Sequence, residues 1–444
     1  MAVFVSPELS NEELYLASRI AREGLSTNNI GSISALHTGY APDALDDAFG
    51  FTASTADRKA VRDADLIICN NTDTQSDQLI LSVEIIDTVK DGAKLVVSNS
   101  IYDPLEELSS LQLDPMRGRS TFLWNGVIQH LISEGYFDLD AVNKLDGGEK
   151  FVADLAKYDL DATEMNSGVE VRKIRQTAEM LMDAQNVVLV HSPDRAFDSS
   201  PGDMQALANI VTLLREKGKK AQLLIPGMYS NTAGLALAGA TPEFLPGRVR
   251  SHGLEGAENT DELYAKLEAG SIKAALVIGE DPFRHDKTAS YFANTELLIS
   301  MDWSKTETGM FANIAFPFST YLESSGTRCN FEGRAVHFEG VVETPAGVPG
   351  WKMLAELASR FGLDVEKADV KKITAELVEK IEKGTGEMMP LYFNDGEDRQ
   401  ECSLKRALVV ASAKPRAAKI PPAVTSIDAY KRQIHEVGRS FKVS

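Results

Sequence analysis

The stretch ADLIICN, residues 64–70, is a continuous apolar run of the length and composition expected for a β-strand buried on both faces. The segment LILSVEIIDTVKDG that follows has helical spacing of its apolar residues, and Gly92 at its end predicts a C-terminal cap. A second strand is predicted in AKLVVSN, residues 93–99. Two parallel strands need such a helical crossover between them, so this region predicts one unit of a parallel sheet.

The same alternation of strands and helices extends along most of the chain. The strand AVFVS (2–6) precedes a helix whose start is marked by a capping box, Ser10 with Glu13 three residues later. Further strands are predicted at 186–192, 220–226, 273–281, 295–302 and 313–318. The last of them lies in ANIAFPFSTYLE, and we expect it to be buried and to end at its proline. Alternation with short connections predicts an α/β fold of two doubly wound αβα units.

Charge and cysteine content exclude several classes of protein. The formal net charge of −19 disfavours a nucleic-acid partner, which needs a basic surface. The three cysteines lie far apart, which excludes a four-thiolate iron–sulfur cluster or a structural zinc site within this chain and gives no disulfide framework; they are Cys69, Cys329 and Cys402. The first residues lack the features of a signal peptide, and no apolar run is long enough to span a bilayer, so we expect a cytoplasmic protein without membrane insertion.

Ligands of doubly wound sheets bind outside the carboxyl ends of the strands. Polar loops follow three of the predicted strands there: NNTDTQSD, GEDPF and DWSKTETG. Their backbone N–H groups could cradle a phosphate, although such loops are also polar in proteins without a ligand. The chain has neither the dinucleotide fingerprint nor the P-loop motif. His37, in SALHTGYAP, is either a hydrogen-bonded loop residue or a ligand or acid–base group.

Four stretches together resemble the molybdopterin oxidoreductase family, which includes formate dehydrogenases and the large iron–sulfur subunit of NADH:quinone oxidoreductase (complex I). They are VSPELSNEELYLASRIAREGLSTNNIGS, ADLIICNNTDTQSDQLI with VKDGAKLVVSN, AALVIGEDPF, and LLISMDWSKTETGMFANIAFPFSTYLESSGTRCNFEGRAV. The last is long and specific, and in the family it forms the loop-rich wall of the pterin pocket. The resemblance covers roughly residues 3–363.

The chain departs from the family pattern where the cofactor would bind. It resembles neither the family's iron–sulfur domain nor its C-terminal barrel, and the family's metal-ligating cysteine or selenocysteine falls at or next to His37. The family's dinucleotide loops correspond here to CNNTD (69–73), SNSIY (98–102) and MRGRST (116–121). The resemblance therefore implies a vestigial pterin pocket with no catalytic residue and no metal ligand, although backbone groups could still contact phosphate. Its positions are His37, Asn71, Gly279, Asp281, Thr306, Glu307, Gly326, Asn330 and Arg334.

The resemblance also implies a domain organisation. Residues 1–27 and 166–363 would form one discontinuous αβα unit, and residues 28–165 a second unit inserted into it. An amphipathic helix is predicted at 364–384, and 385–444 is predicted to be an extended arm that binds a partner. Residues 401–444 carry a net charge of +6 against −25 for the rest of the chain, so the arm could instead lie on its own body.

The function that this resemblance implies is that of a cofactor-free scaffold subunit in a multi-subunit iron–sulfur flavoprotein oxidoreductase. Partner chains would carry the iron–sulfur clusters and the flavin and NAD(P)H sites, as in electron-bifurcating dehydrogenases, hydrogenases or transhydrogenases. An alternative is a catalytic Mo/W-bis-pterin subunit, similar to formate dehydrogenase, split from its cluster domain. A third reading is a lone enzyme or binding protein that uses the strand-end cleft for another nucleotide.

Overall fold

The computed structural model describes residues 1–36, 40–74, 78–145, 147–193, 201–227, 229–345, 347–385 and 392–393. Its strands are β1 (Ala2–Val5), β2 (Ile30–Gly31), β3 (Leu66–Asn70), β4 (Lys94–Ser98), β5 (Leu111–Leu113), β6 (Asn186–His191), β7 (Lys220–Leu224), β8 (Phe244–Leu245), β9 (Val249–Arg250), β10 (Ala274–Ile278), β11 (Leu297–Asp302), β12 (Ile314–Pro317), β13 (Gly326–Cys329), β14 (Arg334–Phe338) and β15 (Tyr392–Phe393).

Helices connect these strands along the described part of the chain. They are α1 (Asn11–Arg19), α2 (Ile33–Leu36), α3 (Pro42–Phe49), α4 (Leu79–Lys90), α5 (Ser120–Ser133), α6 (Leu139–Asn143), α7 (Gly148–Leu155), α8 (Leu160–Ser167), α9 (Val171–Asp183), α10 (Pro201–Glu216), α11 (Thr232–Leu237), α12 (Thr260–Glu268), α13 (Asp286–Ser290), α14 (Glu307–Phe311), α15 (Gly350–Arg360) and α16 (Val370–Thr385). The capping box at the start of α1 is present, with Ser10 and Glu13 each accepting the other's main-chain N–H.

Two parallel sheets organise the molecule, which confirms the predicted α/β fold class. The first sheet has the order β12-β11-β10-β1-β2, and the second has the order β5-β4-β3-β6-β7. All eight strands predicted from the sequence are present within these sheets. The two that the sequence did not reveal, β2 and β5, have only two and three residues. Runs this short carry no periodicity that distinguishes them from loop.

The sheet boundaries differ from the predicted domain boundaries. We expected the inserted unit to end at residue 165, but β6 pairs along β3, and β7 pairs along β6. Helices α9 and α10 pack into the same core as β3 and β4. At the other end, β2 belongs to the first sheet. The second sheet therefore extends to β7, because main-chain hydrogen bonds join β6 to β3 and β7 to β6.

The first sheet is covered on its two faces by different sets of helices. On one face, Val3, Val5 and Leu276 share a core with α1, α15 and α16. On the other face, Phe4 and Val277 pack against α12 and the segment that follows α13. These layers hold the carboxyl ends of the central strands β1 and β10 next to each other.

Strand β12 is the exception to this burial. The apolar sequence around it predicted a buried strand, but all four of its residues are exposed. It lies at the edge of the first sheet, and it pairs only with β11 in the described structure. An apolar run predicts a strand but not how many of its faces are covered, so this prediction was wrong.

The predicted C-terminal helix begins later than expected, at Val370 in place of 364. Its apolar face, with Ile373, Leu377 and Ile381, is buried against α1. Of the predicted arm, residues 386–391 and 394–444 lie outside the described residues, and β15 pairs in parallel with β14. Within the described ranges, no helix has the length and apolar character needed to cross a membrane.

Candidate functional site

The place where a ligand is expected in the first sheet is the crevice between β1 and β10, where the strand order reverses. Gly279 follows β10 there with φ of +68°. A methyl group added to Gly279 would lie 2.7 Å from Cζ3 of Trp303 and 3.2 Å from Cβ of Ser6. The Trp303 indole therefore packs directly on the glycine that a nucleotide would approach.

Glu280, the next residue, accepts hydrogen bonds from donors on the far side of this crevice. Its carboxylate accepts hydrogen bonds from the Ser32 hydroxyl at 2.6 Å and from the main-chain N–H groups of Ile33 and Ser34 at 2.8 and 3.0 Å. Burial raises the pKa of Glu280 to about 7, although these hydrogen bonds oppose the shift. The N–H groups of the loop that leads towards His37 are thus held by a carboxylate of the chain itself.

Asp281 performs the same role for the loop after β11. Its Oδ1 accepts from the Thr308 N–H at 2.8 Å and from the Thr308 hydroxyl at 2.6 Å, and Oδ2 lies 3.4 Å from the Glu307 N–H. The hydroxyl of Thr306 accepts from Gly309 N–H and caps α14. Three predicted site residues, Asp281, Thr306 and Glu307, are therefore brought together, and they hydrogen-bond within the protein.

A cavity beside the crevice is small. It has a volume of about 110 Å³ and is lined in part by Glu13, Trp303, Tyr321, Arg328 and Phe338. This is room for about three or four water molecules at about 30 Å³ each. The Arg328 guanidinium lies 5.2 and 5.1 Å from the ring centres of Tyr321 and Phe338, and burial raises the pKa of Glu13 to about 7. Pockets for drug-sized ligands measure about 300–1,000 Å³, so a pterin dinucleotide does not fit here.

The corresponding position of the second sheet is the crevice between β3 and β6, and a buried polar network closes it. The Asn70 amide nitrogen lies 3.0 Å from Nδ1 of His191, and its oxygen accepts from Ser120 and from the Trp124 indole N–H. His191 is fully buried, and burial lowers its pKa to about 4. His191 is therefore neutral at pH 7 and contributes no positive charge that would attract a phosphate.

Main-chain N–H groups of the loop after β3 also donate to acceptors within the protein. Asn71 has φ of 54°, its N–H donates to Ser98 O, and its side-chain amide donates to Asp203. The N–H of Thr72 donates to the Asn99 side chain. The N–H of Thr74 donates to Asp103, which also accepts from the Thr74 hydroxyl. The N–H groups of these three residues thus face acceptors of the same unit, whereas the buried Thr72 hydroxyl has no nitrogen or oxygen hydrogen-bond partner among the described residues.

The Gly-Thr segment at β13 meets α1. The N–H and hydroxyl of Thr327 donate to Glu12 at 2.8 Å. A methyl group added to Gly326 would lie 2.7 Å from a Glu12 carboxylate oxygen. Gly326 is therefore required for this close approach rather than for its φ, which is not positive.

The Glu-Gly-Arg turn is fastened to the second sheet. Arg334 lies 3.2 Å from both Asp57 and Glu332, and Glu332 accepts from the Arg58 N–H at 2.8 Å. Asn330 closes the turn by accepting from the N–H groups of Glu332 and Arg334. These contacts pair the turn with the segment that precedes β3.

Metal-binding capacity depends on thiols and imidazoles, and these are not gathered together. Among the described residues, no three side chains of His, Cys, Asp or Glu are placed to hold a metal ion. Cys69 is fully buried in β3, and burial raises the pKa of its thiol well above the usual value, so thiolate is disfavoured. Cys329 is buried as well. His37, the predicted vestigial metal position, lies outside the described residues.

Sequence reasoning did not single out Glu280, Trp303, Asp103 or His191. Asp103 had a usable signal, because Asp-Pro with Glu three residues after the aspartate is a capping box, and the structure contains it. Glu280 and Trp303 stand beside predicted site residues in GEDPF and DWSKTETG. Their roles depend on contacts with residues far away in the sequence, which no local pattern encodes.

Comparison with known proteins agrees with this fold. Residues 149–360 match the model of the family described as molybdopterin oxidoreductase. The F420-dependent formate dehydrogenase 1 subunit alpha of Methanococcus maripaludis is 25% identical, over 81% of this chain and 56% of its own length. The NADPH-Fe(3+) oxidoreductase subunit alpha of Geobacter sulfurreducens is 23% identical, over 81% of this chain and 45% of its own length.

Two further similarities concern length and fold. A probable oxidoreductase of Bacillus subtilis is 26% identical over 85% of this chain and 41% of its own, so the chain spans about half the length of the curated relatives it matches. The acetylene hydratase of Pelobacter acetylenicus superposes with a TM-score of 0.55 at 16% identity, over 87% of this chain and 58% of the hydratase chain. Residues 149–360 are thus similar to the molybdopterin oxidoreductase family, and the two parallel sheets agree with the fold of the hydratase.

Proposed function

We propose that this chain is a cytoplasmic, non-catalytic scaffold subunit of a multi-subunit iron–sulfur flavoprotein oxidoreductase and that it binds no pterin cofactor. One observation carries the proposal: carboxylates of the chain itself occupy the main-chain donors at the strand ends. Glu280 and Asp281 accept the N–H groups that a nucleotide phosphate would need. A phosphate would have to displace these carboxylates or lie against them, and like charges in a buried site repel strongly.

The space and the ligands of the crevice support the same proposal. Trp303 packs on Gly279, and the neighbouring cavity of about 110 Å³ is too small for a dinucleotide. The two thiols in the described part of the chain are buried, and burial disfavours the thiolate form of Cys69. The residues present therefore do not fit a molybdenum or tungsten pterin, and no reaction step is assigned to one.

The assembly is inferred from the relatives. Two of them are named as alpha subunits, one of a formate dehydrogenase and one of an NADPH-Fe(3+) oxidoreductase. We propose that partner chains carry the iron–sulfur clusters and the flavin and NAD(P)H sites, and that the segment 385–444 contributes to docking them. The fold supplies rigid, parallel-sheet units, and a rigid body of this kind suits the positioning of partner domains.

The experiment that tests the proposal is the substitution His37→Ala in the purified complex. Because His37 stands where the family places its metal ligand, a vestigial site predicts turnover within about threefold of the wild type. The matched control is His252→Ala, an exposed histidine in the loop after β9. A loss of about a hundredfold with His37→Ala alone, equivalent to about 2.7 kcal/mol of transition-state stabilisation, would restore a catalytic role.

A further inference from the structure

The segment from Thr308 to Leu322 contains no charged side chain, yet much of it is exposed. Six of its large apolar side chains are between 44% and 68% exposed, whereas Phe318 is buried. They are Met310, Phe311, Ile314, Phe316, Tyr321 and Leu322. Isolated exposed apolar residues are ordinary, but a continuous run of them marks an interaction surface. We call Met310–Pro317 the β12 edge.

The main chain of this segment is also available on one side. Asn313 N–H donates to Leu298 O, and Phe318 N–H donates to Asp302 O, so the strand bonds to β11. In a parallel ladder alternate residues face the neighbouring strand, so Ile314 and Phe316 face β11 as Phe318 does. Ala315 directs its N–H and C=O groups away from β11, and Pro317, which has no N–H, directs only its C=O group away. Since β12 ends the strand order of its sheet, these groups form an open edge in the described structure.

Both faces of β12 are open as well. Ile314 and Phe316 stand next to Ile299 and Met301, which belong to the face covered by α1, α15 and α16. The helices do not reach as far as β12, whose four residues are all exposed. An uncharged strand with two open faces and a free edge is prone to uncontrolled pairing, which proteins avoid by covering such a strand.

The charges around the β12 edge are mainly acidic. Glu307 precedes the uncharged run, and Glu323 follows it. The main chain of Val341 and Val342 bonds to Leu322, which brings the exposed Glu339 and Glu343 close to the end of the run. Lys305 is the exposed basic residue nearest to the run in the sequence, and the half-buried Arg328 lies 5.2 Å from the ring centre of Tyr321. A second copy would bring the same acidic rim and the same net charge of −19, so self-pairing is disfavoured.

We propose that the β12 edge is the docking surface for another subunit, which adds an apolar, extended strand flanked by lysine or arginine. Main-chain hydrogen bonds to Ala315 and to the C=O group of Pro317 would extend the first sheet by one strand, and apolar side chains would cover both faces. Basic residues at the ends of that strand would meet the acidic rim. The inference rests on the proposed function only in requiring a partner subunit.

Site-specific cross-linking identifies the occupant directly. The complex is isolated with p-benzoylphenylalanine in place of Ala315, irradiated, and analysed by peptide mass spectrometry. The expected product joins this position to a different polypeptide, within an apolar segment bordered by Lys or Arg. A cross-link to residues 308–322 of a second copy, a cross-link to residues 394–444 of this chain, or no cross-link overturns the proposal.

A pair of substitutions measures the energetic contribution of the surface. Phe316→Lys places a like charge against the basic partner strand and is expected to weaken assembly at least tenfold, with an unchanged melting temperature of the free chain. Met165→Lys, on α8 and 79% exposed, is the control and is expected to leave assembly unchanged. Equal assembly of both variants, within about twofold, overturns the proposal. Isolation of the chain without any other subunit would instead contradict the proposed function.

Discussion

In the first sheet, the carboxyl ends of the strands and the β12 edge differ from the corresponding regions of other doubly wound proteins. In doubly wound proteins the strand ends bind the ligand and the strands themselves are covered. Here Glu280, Asp281 and Trp303 fill the strand ends, whereas β12 is exposed along its whole length. The comparison favours our proposals that this chain binds protein at a sheet edge and does not bind a nucleotide in the crevice.

The largest effect is expected from removing the carboxylate that closes the strand ends. Glu280→Leu leaves the N–H groups of Ile33 and Ser34 buried without an acceptor, so the free energy of unfolding should fall by about 3 kcal/mol. Phe316→Lys at the open edge should change the free energy of unfolding by less than about 0.5 kcal/mol. Urea unfolding of both variants measures the two changes in the free energy of unfolding, and equal losses would contradict the comparison.

A smaller effect is expected in the Glu-Gly-Arg turn. Gly333 has φ of 82°, and a methyl group added to it would lie 2.6 Å from Cζ of Phe51. Gly333→Val should therefore lower the free energy of unfolding by about 2 kcal/mol, because of backbone strain and steric overlap. Gly347→Val is the matched control, because Gly347 has φ of 70° but no neighbour within 4 Å. A Gly333→Val protein with wild-type thermal stability but an inactive complex would show that the turn serves a ligand.

The smallest effect is a dependence of stability on pH. Because the pKa of Glu280 rises from 4.5 to about 7 in the folded protein, the folded state holds a proton that the unfolded state has released between these values. Stability contributed by Glu280 is thus complete below about pH 4.5 and is lost as the pH rises to about 7. In the Glu280→Gln variant, the slope of the unfolding free energy against pH should be smaller by up to about 1 kcal/mol per pH unit in this range. Parallel slopes for the variant and the wild type in urea titrations would contradict the burial of a titrating carboxylate.

The sequence predicted the strands better than it predicted which strands pair with each other. Apolar runs such as 64–70 and 186–192 are strands in the structure, because only buried strands tolerate such runs. That β3 pairs with β6 was missed, since pairing across more than a hundred residues leaves no local pattern. The exposure of β12 was missed for a related reason, because its cover would have to come from residues distant in the sequence.

The site was predictable to a similar extent. Motif resemblance pointed to Asp281, Thr306 and Glu307, and the structure brings them together in one hydrogen-bonded loop pair. It did not reveal that Asp281 is the acceptor of that pair, or that Glu280 reaches the loop beyond β2. Such hydrogen bonds between loops depend on distances that only the folded structure defines.

The central claim, that the strand ends are closed to a pterin cofactor, is tested most directly by metal and pterin analysis of the complex purified under anaerobic conditions. Elemental analysis should find no molybdenum or tungsten associated with this chain, and oxidation should release no fluorescent pterin. The control is a formate dehydrogenase loaded with cofactor and handled in the same way. About one molybdenum or tungsten per chain, together with the pterin fluorescence, would contradict the account.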